Sequence, residues 1–162
     1  MKRGKSEFRP HTVGLMGEYL VAAKLLELGW ENVSIAKDAS YDLIACYQDK
    51  IIRIDVTGKG KGEWSFDAKK FLDIKFDEKS RVQKISKNKD KAFKKLELDY
   101  FILVKRNEKD VFRSKFYIVP AKELADIIYD RYTANCPIDG DFIIRKRPKN
   151  WKSTHATVGE KM

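Results

Sequence analysis

The chain has 162 residues, 43% of them hydrophobic and 12% aromatic, enough to bury a core and to exclude global disorder. Lys and Arg number 34 against 24 Asp and Glu, a net charge of +10 that favours a polyanionic partner, nucleic acid or an anionic membrane. No apolar run approaches the roughly 18 residues of a membrane span, and MKRGKSEFRPHTV at the start is charged with no apolar stretch behind it. Neither a membrane partner nor a signal peptide is therefore expected, and the cytoplasm is the default compartment. Cys46 and Cys136 have no CxxC partner, and the two histidines, His11 and His155, lie near opposite ends. A disulfide framework, a structural zinc site and histidine-based catalysis are all disfavoured, so acids and lysines must carry any chemistry.

Length predicts one domain, residues 1–150, with 151–162 as a loose tail. The first element is a helix over GLMGEYLVAAKLLELG, N-capped by Thr12 and ended by Gly29. At about 100° per residue, Leu15, Tyr19, Ala22 and Leu26 form its apolar stripe. Glu18 falls between Ala22 and Leu25 on the wheel, on the side expected to face the core. Two strands follow, YDLIACY (41–47) and IIRIDVT (51–57), joined by QDK. Pairing residues whose numbers sum to 97 separates the faces cleanly: Tyr41, Leu43 and Ala45 meet Val56, Ile54 and Ile52. The other face then sets Asp42 opposite Asp55, two carboxylates that repel unless a cation lies between them.

GKGKGEW is a flexible loop, and WSFDAKKFLDIKF a strand and turn. From Lys69 to Lys95 there are eleven Lys and Arg against four acids, most of the chain's net charge. YFILVKR and FRSKFYIVP form a second hairpin, Pro120 opens the helix AKELADIIYDRYTA, and DFIIRKR is a last strand.

The run GEYLVAAKLLELGW, YDLIA and IRIDVT resembles the PD-(D/E)XK nuclease superfamily over roughly residues 13–130. The resemblance implies an α/β fold, restriction-endonuclease-like, with a mixed central β-sheet flanked by helices (an αβββαβ core). It implies a DNA endonuclease whose catalytic and metal-binding acids are Glu18, Asp42 and Asp55. Hard carboxylate oxygens suit Mg²⁺ or Mn²⁺ as cofactor. The sequence departs from the family pattern at Thr57, where a lysine is expected two residues after the acid. Lys59, or Lys61 after it, is the replacement, with glycines around them to let the backbone fold back. A catalytically inactive relative that only binds nucleic acid is the alternative.

DNA is expected ahead of RNA as partner, through phosphate contacts from Lys69, Lys70, Lys84, Lys87, Lys89 and Lys91. Stacking of Trp64 and Trp151 on unpaired bases is weighed against packing in the core. A homo-oligomer is compatible with all of this.

Overall fold

The structure, a computed structural model, describes residues 10–36, 40–146 and 152–159. In chain order, α1 (Pro10–Glu27) leads to β1 (Glu31–Ile35), β2 (Leu43–Tyr47) and β3 (Lys50–Lys59). Then come β4 (Trp64–Asp67), β5 (Lys75–Asp77), β6 (Val82–Ser86) and the one-turn α2 (Lys89–Ala92). β7 (Tyr100–Lys105) and β8 (Lys115–Pro120) precede α3 (Ala121–Thr133), followed by β9 (Ile138–Asp139), β10 (Phe142–Lys146) and β11 (His155–Val158). Where length suggests a single domain, the described residues divide into two compact units: those of Met1–Gly62 with Glu97–Pro120, and those of Glu63–Leu96 with Ala121–Met162.

The first unit is a mixed five-stranded sheet, ordered β1-β2-β3-β7-β8, with α1 on one face. β2 and β3 are antiparallel in the face-separating register, from Leu43 opposite Ile54 to Tyr47 opposite Lys50. β3 and β7 are parallel, with Asp55 beside Phe101 and Thr57 beside Leu103. A parallel pair needs a long crossover; residues 60–99 supply it, and they hold three strands and α2. β7 and β8 form the second expected hairpin. The fold is thus mixed α/β around a central mixed sheet, as the sequence pattern predicts.

The core of this unit joins Val21 and Leu25 of α1 to Leu43, Ala45, Ile54, Val56, Ile102 and Val104. The helix is rotated from its expected phase. Leu15, Tyr19 and Leu26 are exposed, at 37%, 60% and 56%, while Gly17, Val21 and Leu25 face the sheet. The cause is backbone proximity. A Cβ on Gly17 would lie 3.7 Å from the Cα of Gly58, and one on Gly58 only 3.3 Å from the Val13 carbonyl oxygen. Two glycines let helix and strand approach more closely than any apolar stripe would. Gly58→Val should therefore lower stability by about 1–3 kcal/mol, the usual cost of overpacking, measured by urea denaturation. At its C-terminus α1 ends as expected: Gly29 has φ +85°, its N–H donates to Leu26 O and that of Trp30 to Leu25 O. This pair of bonds is a Schellman cap.

The second unit has a four-stranded sheet, β5-β6-β10-β9, and a two-stranded one, β11-β4. α3 buries Leu124, Ile128, Tyr129 and Tyr132. Gln83 is also buried, and is satisfied: its Nε2 donates to Ser153 O at 2.9 Å and its Oε1 accepts from the Tyr132 hydroxyl. The Arg145 guanidinium lies 4.2 Å from the Tyr132 ring centroid. Burial pushes the Tyr132 hydroxyl up to about 12, so it stays a donor at any physiological pH. Part of the expected loose tail is ordered: His155–Val158 pairs with Trp64–Asp67, Ala156 and Val158 turned inward. Trp64 is only 1% exposed, a core residue unavailable to stack on a base. Trp151 lies outside the described residues. No helix among the described residues is long and apolar enough to cross a membrane.

Candidate metal and nucleic-acid site

The β2–β3 register holds as far as Leu43 opposite Ile54, and at the next residue the ladder changes. Asp42 donates its own N–H to Ile54 O at 2.9 Å, and its Oδ2 accepts the Val56 N–H at 2.7 Å. The carboxylate thus takes the place a backbone carbonyl would hold. It does not stand squarely across from the Asp55 side chain, as a simple continuation of the register would have it. Val56 N is one peptide unit from the Asp55 Cα, so the Asp42 carboxylate lies at most about 5 Å from that Cα. A charge-assisted hydrogen bond of this kind contributes about 1.5–3 kcal/mol, so Asp42 also fixes the entry to β2.

Asp55 sits between the buried Ile54 and Val56, on the opposite face of β3 by strand alternation. α1 packs against the face of Ile54 and Val56. Glu18 lies on this helix side, and Asp42 is the acid whose charge acts on it. Burial raises the Glu18 carboxyl above its ordinary value of 4.5; the negative charge of Asp42 raises it further, and His11 opposes the rise. The structure brings Glu18 and Asp42 into one electrostatic neighbourhood, and Asp42 to the Asp55 backbone.

This shift has a testable sign. A carboxyl whose pKa is raised on folding destabilises the folded state when ionised, and the penalty vanishes as pH falls below the unfolded value. Glu18→Gln should therefore raise Tm by about 1–3 °C at neutral pH. The gain should shrink as pH falls through the raised folded pKa and be gone below about 4.5. Thermal unfolding of both proteins across pH checks it.

Among the described residues, no three His, Cys, Asp or Glu side chains converge closely enough to hold a metal ion. Mg²⁺ commonly takes one or two carboxylates and fills its remaining positions with water and substrate phosphate.

The lysines after Asp55 are placed differently from expectation. β3 does not end at Thr57. It runs on through Gly58 and Lys59, which pair with Val104 and Lys105 of β7. The Arg106 N–H donates to Lys59 O at 2.8 Å, and Lys105 Nζ to Gly62 O at 3.1 Å, so the glycine-lysine segment is tied to β7 and does not fold back. Alternation puts Asp55, Thr57 and Lys59 on one face, with Thr57 between the acid and the cation. Lys59 Nζ lies 3.9 Å from the position of a Cβ on Gly62. Lys61 is ion-paired with Glu108 at 3.5 Å.

In the second unit the basic segment is distributed over several elements. Lys69 and Lys70 are exposed on the short 3₁₀ turn Ala68–Lys70, with Lys69 Nζ 4.3 Å from the Phe76 ring centroid. Lys84, Lys87 and Lys91 line a cleft of about 430 Å³ together with Asp73, Lys75, Ser86, Asn88, Asp141 and Phe142. Lys89 is different: it contacts Asp126 at 3.4 Å and Asp130 at 2.9 Å and lies 5.2 Å from the Tyr129 ring centroid. Its hydrogen bond to Asp130 raises its proton affinity above the ordinary lysine range. These contacts join α2 to α3, and a phosphate would have to displace two carboxylates to reach Lys89. Charge counting missed Phe142, which carries no charge, and did not single out Lys75. Only the pairing of β10 and β5 with β6 brings them to the cleft.

The fold and the acids define a mixed α/β protein with one carboxylate entering a strand and a second within the strand beside it. No protein-family model and no curated protein matches the chain. A solved structure of a bacterial homing endonuclease is similar to it at 15% identity and a TM-score of 0.39, covering 86% of this chain and 76% of that one. So distant a likeness assigns neither residue nor activity.

Proposed function

We propose that the protein is a metal-dependent DNA endonuclease of the PD-(D/E)XK kind. The observation that supports this most is the Asp42 carboxylate held against the Asp55–Val56 peptide, one acid bonded to the backbone beside another. In this reading Asp42 and Asp55 hold Mg²⁺ or Mn²⁺. The bound ion would neutralise charge on a phosphodiester and lower the pKa of an attacking water. Glu18, with its proton affinity raised, serves as a further ligand or orients the water and accepts its proton. Lys59 supplies the cation on the Asp55 face that Thr57 cannot. Lys69, Lys70, Lys84, Lys87 and Lys91 contact backbone phosphates, which positions DNA without reading its bases. Lys89, committed to Asp126 and Asp130, serves the α2–α3 junction.

A second reading has its own observation. Thr57 separates Asp55 from Lys59 on their shared face, where the family pattern has lysine, and a protein retained for binding alone would have the same acids and the same basic segment. Incubation with supercoiled plasmid, linear duplex, branched and single-stranded DNA separates the two. Cleavage that requires Mg²⁺ or Mn²⁺ and stops with chelator supports the enzyme. Binding without cleavage of any of these, with cleavage appearing only in Thr57→Lys, would establish the binding protein.

A further inference from the structure

The cleft of the second unit has a built asymmetry. On β6, Lys84 stands directly opposite Lys75 of β5, and Ser86 directly opposite Phe142 of β10. Alternation puts all four side chains on one face, while Ile85 and Ile143 pack inward on the other. Like charges directly opposite one another on paired strands are destabilising. Lys84 is offset by Asp77 at 3.2 Å, and Lys87 approaches Asp141 at 3.9 Å. The Lys87 pair is solvent-exposed and the Lys84 pair half-exposed; exposed pairs contribute only about 0–1 kcal/mol, so a multiply charged phosphate would compete for Lys87 at little cost. Four lysines line the cleft against two aspartates.

The aromatic rim narrows the ligand. Phe142 is 36% exposed, and Lys75 Nζ lies 5.8 Å from its ring centroid. A bare phosphate needs no aromatic surface and far less than 430 Å³. An intact duplex presents phosphates but keeps its base faces stacked. An unpaired nucleotide presents both a phosphate and a free base face, the combination that single-strand-binding surfaces recognise with lysines beside aromatics.

We propose that this cleft receives one unpaired nucleotide, its phosphate among Lys84, Lys87 and Lys91 and its base against Phe142. The cleft would then direct the protein to single-stranded, frayed or branched nucleic acid. This rests on nucleic acid being the partner, but not on cleavage.

Fluorescence anisotropy with a short labelled single strand and a blunt duplex of the same sequence tests it, with chelator present so that cleavage plays no part. Phe142→Ala should reduce the ratio of single-strand to duplex affinity about tenfold, since one base–aromatic stack contributes about 1–3 kcal/mol. Phe112→Ala, at an 86% exposed aromatic of the first unit, should leave the ratio unchanged. If Phe142→Ala fails to fold by circular dichroism, Phe142→Leu keeps the bulk without the ring and should lower the same ratio. Duplex and single-strand binding with a ratio unmoved in every cleft variant would overturn the cleft and leave the proposed function standing. No binding of any DNA would overturn both, and so would cleft-dependent binding to anionic lipid vesicles in its place.

Discussion

Asp55→Asn should reduce Mg²⁺-dependent DNA cleavage by more than about 10²-fold while leaving DNA affinity unchanged or tighter. Changes to groups that merely support a metal ligand already cost about 10–100-fold, so loss of a ligand charge should cost more. Affinity should not fall, because the substitution removes a negative charge from beside the phosphate path. Asp42→Asn should behave differently. Its carboxylate also accepts the Val56 N–H, so the variant should lose cleavage and about 1 kcal/mol of stability together. Lys59→Ala should slow cleavage about 10²-fold, the lower range for a group that assists proton transfer, and Thr57→Lys should leave the rate unchanged or raise it by adding a cation to the Asp55 face. Single-turnover rates set beside denaturation curves and binding isotherms separate these effects.

DNA affinity should fall steeply with salt. Five lysines are proposed to contact phosphates: Lys69, Lys70, Lys84, Lys87 and Lys91. With about 0.9 counterion released per phosphate contact on duplex DNA, the slope of log K against log salt should be about −4 to −5. Affinity would then drop several-hundred-fold between about 50 and 200 mM salt. Replacing Lys84, Lys87 and Lys91 by Gln should make the slope shallower by about 3 and weaken all duplex sequences alike. Lys89→Gln should leave the slope nearly unchanged and lower Tm, because its partners are Asp126 and Asp130. A flat salt response in the wild type would contradict a phosphate-dominated interface.

The hairpin of β2 and β3 was legible because its two faces differ so sharply that one register alone keeps them apart, and that register is observed. The placement of Asp42 was less so. No pattern of apolar residues announces that a side-chain carboxylate will replace a carbonyl in the ladder. The phase of α1 was misread for a related reason: apolar residues lie round most of its circumference, and its seating is decided by Gly17 and Gly58, whose contribution is the absence of a side chain. β11 has four residues, too few for alternation to stand out, though Ala156 and Val158 do face inward. The extension of β3 through Gly58 and Lys59 went against glycine's preference for loops, and pairing with β7 overrode it. Lysine density located the basic segment. Its division into Lys89 in the fold and Lys84, Lys87 and Lys91 around a cleft depends on contacts between residues far apart in sequence.

The most direct test of the metal site is Mn²⁺ binding, followed by electron paramagnetic resonance in the presence of uncleavable phosphorothioate DNA. The wild type should bind Mn²⁺ with its free-ion signal lost on titration, and both Asp42→Asn and Asp55→Asn should leave that signal largely intact while still binding the DNA. Equal Mn²⁺ binding by the wild type and both variants would show that these two acids do not hold the ion, and the proposed site would be wrong.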